Sequence, residues 1–266
     1  MVWLRYWGLS RDPFADGTSC FVSMPSHDEA FARLVFAIER GHRLVDLEAG
    51  AGMGKSTVIR QALHATRDPR RRAILIPATT PALGLFDRIA GAIRRGCERP
   101  SDRGSPSGPI LREFRSASIE GTQVVLVLDQ WDTDPGPGVV QDLLALVGSS
   151  DPGGPSPTII RSGRALADDD GSRALSIGLE RLTRTEAETY VAGRLASAGC
   201  HDRIFTPRAV GRLHSWSEGV PGTISELASL AMLTAASHRA EVITPDLIDG
   251  IALRGLVGID PSLTPG

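Results

Sequence analysis

Cysteine is scarce: Cys20, Cys97 and Cys200 are far apart, odd in number and include no CxxC pair. That pattern excludes a disulfide framework and a zinc site and fits a reducing compartment. Long apolar runs are missing too. The longest, Leu227 to Ala236, is about half of the roughly 20 residues a membrane-spanning helix needs, and the N-terminus shows no charged region followed by an apolar core. The expectation is a cytoplasmic protein that meets the inner face of a membrane only through partners. Charge of one sign is also lacking: with 29 Lys and Arg against 31 Asp and Glu the net charge is −2, so no global cationic balance points to nucleic acid. The basic clusters Arg67–Arg72 and Arg94–Arg99 read as solvated faces.

The 266 residues, 41% apolar and 23% charged, describe an ordinary globular chain with room for a large domain and a small one. A helix is expected from Ser26, with Ser26 as cap, Glu29 completing a capping box, and Ala30, Leu34, Val35 and Ile38 on one face. Apolar strands follow at His42–Ala49, Arg72–Ala78, Thr122–Asp129, Thr158–Gly163 and Arg173–Leu182. Helical patterns lie between them at Pro81–Gly96 and Val139–Val147, and Glu98–Pro109 reads as a loop. Continuous apolar strands alternating with helices imply a parallel sheet covered on both faces. From Thr183 the pattern is helical throughout, with starts marked by Thr183, Thr206–Pro207 and Thr244–Pro245. The boundary is placed at 182. Trp131, Trp216 and the stripe Leu227–Leu233 read as packing.

"AGAGMGKS", Ala49 to Ser56, matches GxxxxGK[ST] at every defined position but the first. It stands between an apolar strand and a helix, the context in which backbone amides and a helix N-terminus bind phosphate. Gly50, Ala51, Gly52, Met53 and Gly54 form the loop. Lys55 is placed to reach the β and γ phosphates, Ser56 to hold magnesium, and Thr57 lies beside it. A second element agrees with the first: Asp129 ends its own apolar strand, where the magnesium-side aspartate of a P-loop NTPase belongs. The cofactors expected are ATP and Mg2+, and the fold class an α/β, P-loop αβα sandwich followed by a small helical domain.

With these motifs placed, the chain resembles the AAA+ ATPases of the general secretion pathway protein A (ExeA, GspA) type. Further blocks carry the resemblance: "YWGLSRDPF", "SHDEAFARLVFAIERG", "LTRTEAETYVAGRLASAG", "FTPRAVGRLHSWSEGVP" and "ITPDLIDG". The resemblance implies an ATPase core over 1–182 with an N-terminal adenine-side segment, and a helical lid over 183–266. It also implies assembly into a ring or filament and service to a secretion or exopolysaccharide-export system. Many such proteins continue into a transmembrane helix and a peptidoglycan-binding domain; this sequence ends after the lid, so those parts are not expected. Pro13, Phe14 and His27 fall in the adenine-side segment, although Phe14 suits core packing and His27 a local cap equally well.

Three departures from the family pattern bear on catalysis. Gln130 stands where glutamate polarises water, Gly222 stands where the lid carries an arginine, and Ser162 or Arg164 is left as γ-phosphate sensor. An amide cannot accept a proton, and losing a general base slows turnover by about two to four orders of magnitude. Slow hydrolysis is therefore expected, with Asp132 two residues on as a substitute carboxylate. The resemblance makes Arg173 the candidate arginine for a neighbouring subunit's phosphate, with Arg164 as alternative. A DNA-associated regulator resembling transposition ATPases, or a non-hydrolysing ATP-bound scaffold, are the competing readings.

Overall fold

The computed structural model describes residues 2–15, 20–77, 114–131, 143–145, 154–164, 166 and 174–257. Arg173, Asp132, the basic cluster Arg94–Arg99 with Cys97, the helix expected at Pro81–Gly96 and the loop at Glu98–Pro109 lie outside them, as does most of the helix expected at Val139–Val147. The chain divides into two compact units: Glu29–Gly50 with Lys55–Leu179, and Met1–Asp28 with Ala51–Gly54 and Glu180–Gly266.

Among the described residues the first unit is built on five parallel strands: β1 (Leu44–Glu48), β2 (Arg71–Pro77), β3 (Gln123–Asp129), β4 (Thr158–Gly163) and β5 (Leu175–Gly178). Their order is β2-β3-β4-β1-β5, all neighbours parallel. Every residue of β3 and β4 is buried. Burial on both faces is why these strands read as unbroken apolar runs rather than alternating ones. One face packs Leu44, Leu126, Leu128 and Ile159 with Phe114, Ala117 and Trp131. Parallel order also places the C-terminal ends of β1, β4 and β3 side by side on one sheet edge, with β4 in the middle.

Helix α1 (Val2–Tyr6) precedes α2 (Pro25–Glu39), which begins one residue earlier than the sequence suggests. Proline fixes φ and suits the first turn, so Ser26 sits inside the helix and does not cap it. Glu29 pairs instead with Arg33 at 2.5 Å. Of the expected inward face, Ala30, Leu34 and Ile38 are buried and Val35 is half-buried. After β1 comes α3 (Lys55–Ala65).

The second unit holds α4 (Arg184–Ser197), α5 (Pro207–Ser217), α6 (Pro221–Ser237) and α7 (Pro245–Val257). Thr183 caps α4 in a full capping box with Glu186, and Thr206 caps α5 ahead of Pro207; each such cap stabilises its helix by about 1 kcal/mol. The core joins Val191, Leu195, Leu213, Ile224, Met232 and Ile248 to Leu9 and Phe14 of the N-terminal segment. Trp7 fastens that segment by donating its indole N–H to the Met232 carbonyl at 3.0 Å. The stripe Leu227–Leu233 packs only in part: Ala228, Ala231 and Met232 are buried, while Leu230 and Leu233, three apart on the outer side of α6, are about half exposed. A helix with apolar residues on more than its inward arc shows the surplus to solvent. Among the described residues no helix is long and apolar enough to cross a membrane.

Candidate nucleotide site

The glycine loop joins β1 to α3. Gly52 and Gly54 have φ of +72° and +90°, a region open to glycine at little cost. Ala49 is not among the positive-φ residues, and its N–H donates to the Gly163 carbonyl at 3.0 Å. An alanine therefore serves where the motif has glycine. The departure at the first position leaves the turn intact.

The loop's carbonyls share a pattern. Buried Lys55 donates its ammonium to the carbonyls of Ala49 and Gly50 at 2.7 and 2.8 Å. The Gly222 amide donates to the Gly52 carbonyl at 2.8 Å, and the His27 Nε2 lies 3.0 Å from the Met53 carbonyl. Four carbonyls are thus held by donors, whereas the amides of Gly50 to Gly54 have no acceptor among the described residues. A run of N–H groups without acceptors is what an anion binds. Ser56 and Thr57, in the first turn of α3, are half-buried.

Asp129 is buried at the end of β3. Ser162, fully buried on β4, donates its hydroxyl to Asp129 Oδ1 at 2.5 Å and accepts from the Gln130 N–H at 3.1 Å. Register explains the meeting, because Ser162 pairs with Leu47 of β1 while its neighbour Arg161 pairs with Leu128 of β3. Gln130 is exposed with φ +61°, a left-handed backbone uncommon for a residue with a long side chain. Arg164 is exposed at the strand's end. Of the two sensor candidates, Ser162 is the one that touches the Asp129 carboxylate.

Phe14 is buried, edge-on to Phe205 at 6.4 Å, with the Arg194 guanidinium 5.9 Å from its ring centre. The Pro13 carbonyl accepts from Arg194 Nε at 2.5 Å. Both are thereby built into the core of the helical unit. His27 does not cap a helix; it lies against the loop, and a β-carbon at Gly54 would come within 3.1 Å of its Nε2. Burial lowers the His27 pKa below the usual 6.5, and the Met53 carbonyl and the Glu186 and Asp28 carboxylates only partly oppose that.

Gly222 is more than a missing arginine. A β-carbon there would stand 2.9 Å from Gly52 Cα and 3.1 Å from its carbonyl oxygen, both backbone atoms. The room a side chain needs is filled by the loop.

Sequence reasoning passed over one pair. Arg161 on β4 donates to both carboxylate oxygens of Asp46 on β1, at 2.7 and 2.6 Å, with both side chains buried. The available signal was a charge in the middle of each of two buried strands, Asp46 in "LVDLE" and Arg161 in "TIIRSG".

No family model matches the chain. Over 259 residues it is 26% identical to general secretion pathway protein A of Aeromonas hydrophila, covering 90% of this chain and 46% of that protein; it thus spans about half the length of that relative. The crystal structure of Cdc6p from Pyrobaculum aerophilum superposes with a TM-score of 0.74 at 14% identity, covering 95% of this chain and 75% of that one. The Aeropyrum pernix ORC1 protein in complex with DNA gives 0.70 at 16%, covering 92% and 68%. The resemblance to a protein of the secretion type is therefore upheld, and the fold is that of the AAA+ P-loop proteins: a five-stranded parallel sheet flanked by helices, with further helices after it.

Proposed function

We propose that this chain is an ATP-binding AAA+ ATPase of slow turnover that works as a nucleotide-dependent, self-associating switch in a secretion or exopolysaccharide-export system. The observation that carries the reading is the loop from Gly50 to Gly54, whose Gly50, Gly52 and Met53 carbonyls are held by Lys55, Gly222 and His27 while its amides are left for an anion. In this proposal residues 1–182 form the ATPase core and 183–266 its lid.

A triphosphate tail suits these groups. Amides of 50–54 bind its oxygens, and Lys55 exchanges its hold on the Ala49 and Gly50 carbonyls for the β and γ phosphates. The oxygen donors Ser56 and Asp129 fit a hard cation, and Ser162 keeps one Asp129 oxygen occupied so that the other is oriented. Magnesium bound there supplies neutralisation of developing phosphate charge. Gln130 orients a water without taking its proton, and Gly222 supplies no cation; slow hydrolysis follows from both. Arg173 is the candidate contributed to a neighbour's phosphate. Binding draws subunits together, and hydrolysis resets them.

Titration of Mg·ATP into the full chain in a calorimeter tests the reading: heat with the wild type and none with Lys55→Ala is expected, and no heat with well-folded wild type overturns it. Sizing with ADP, ATP or no nucleotide tests the switch. The likeness to ORC1 in complex with DNA favours a second reading, a DNA-associated ATPase. Duplex-stimulated turnover with an affinity that falls steeply with salt would select it.

A further inference from the structure

The His27 ring is buried at the start of α2, with Nε2 3.0 Å from the Met53 carbonyl and Nδ1 3.1 Å from the Ser26 hydroxyl. A carbonyl only accepts, so Nε2 carries a hydrogen in either charge state. Nδ1 is the nitrogen that changes. In the neutral ring it accepts from Ser26; in the cation it donates. Ser26 Oγ also lies 3.2 Å from Glu186 Oε1, and one hydroxyl hydrogen serves one acceptor at a time. A neutral ring keeps that hydrogen for itself, whereas a protonated ring releases it to the carboxylate. Glu186 Oε2 meanwhile receives the N–H and hydroxyl of Thr183, the cap of α4.

We propose that His27 is a positioning residue of the phosphate loop, holding the Met53 carbonyl away from the anion-binding amides, and that Ser26 passes the ring's protonation state to Glu186 at the start of α4. The proposal rests on the phosphate-loop reading above and adds to it a proton. Among the described residues, the charged groups acting on the ring are the carboxylates of Glu186 from α4 and Asp28 from α2. Opposed by burial, they leave the ring largely neutral near pH 7. An anion arriving on the loop beside Nε2 adds a further negative charge and shifts the balance to the cation. Nucleotide binding then takes up a proton, and the Ser26 hydroxyl turns to Glu186.

Two measurements on the full chain decide this. Nitrogen NMR of the imidazole without nucleotide, above its titration, should show the Nε2–H tautomer; the Nδ1–H tautomer overturns the proposal, since it would set a lone pair against a carbonyl. Calorimetry with Mg·ATP near pH 7, in buffers of different ionisation enthalpy, should show proton uptake by the wild type. His27→Gln, whose amide nitrogen takes the place of Nε2, should bind within about twofold of the wild type without uptake, while His27→Phe binds roughly three- to tenfold more weakly, the worth of one hydrogen bond. Ser26→Ala should bind normally with altered uptake. Equal affinities for the Gln and Phe variants, or uptake that persists in His27→Gln, overturns the proposal while leaving the phosphate loop standing. Absence of heat with the wild type sinks both.

Discussion

The Gly222 amide donates to the Gly52 carbonyl at 2.8 Å, and the two glycines are so close that a β-carbon on Gly222 would lie 2.9 Å from Gly52 Cα. An arginine at 222 is therefore incompatible with the loop as it stands. Gly222→Ala should destabilise the protein by about 1–3 kcal/mol, the usual range for overpacking, and Gly222→Arg should lower Mg·ATP affinity rather than raise turnover. Chemical denaturation and calorimetry check the two halves; a Gly222→Arg protein with faster hydrolysis would show that the loop yields easily.

Gln130→Glu restores a proton acceptor beside Asp129. Since a general base is worth about two to four orders of magnitude, a rise in steady-state ATP turnover of roughly tenfold or more is expected. No rise would place the limit elsewhere than at position 130.

Asp46→Asn leaves the Arg161 guanidinium in the sheet without its bidentate carboxylate. Breaking a buried pair in this way costs about 3–5 kcal/mol, whereas replacing both partners with apolar residues is often neutral or better. Asp46→Leu combined with Arg161→Leu should therefore recover most of the stability that either single change loses, read from denaturant midpoints.

His27 also makes stability depend on pH. Its folded pKa lies below the usual 6.5 because burial disfavours the cation, so between the two values the unfolded chain binds more protons than the folded one. Stability consequently rises with pH through that window and is lost on acidification from 6.5 downward. In the His27→Gln variant this part of the stability profile should flatten; an unchanged slope between the two proteins would assign it to other groups.

Much of the fold was legible because burial on both faces writes itself plainly. Val124 to Leu128 cannot be an amphipathic helix or an exposed strand, and a P-loop lysine followed later by an aspartate at a strand's end constrains the sheet between them. Thr183 and Thr206 announced their helices by the chemistry of capping. The start of α2 was misread because Ser26 and Glu29 imitate a capping box one residue inside a helix that Pro25 already opens. The candidate site was legible as far as its main-chain parts. Its tertiary parts were not: no local pattern says that Asp46 meets Arg161 at a separation of 115 residues, that Ser162 turns to Asp129, or that the backbone of Gly52 fills the space a side chain at 222 would need.

The ion pair between Asp46 and Arg161 has a consequence for how the chain can vary. It joins the strand that leads into the glycine loop to the strand that carries Ser162, and a slip of one residue between them would leave each charge facing hydrocarbon on its own. The sheet alignment that places Ser162 beside Asp129 is thus guarded by a two-key lock: neither position can drift alone, and descendants of this sequence should alter both or neither.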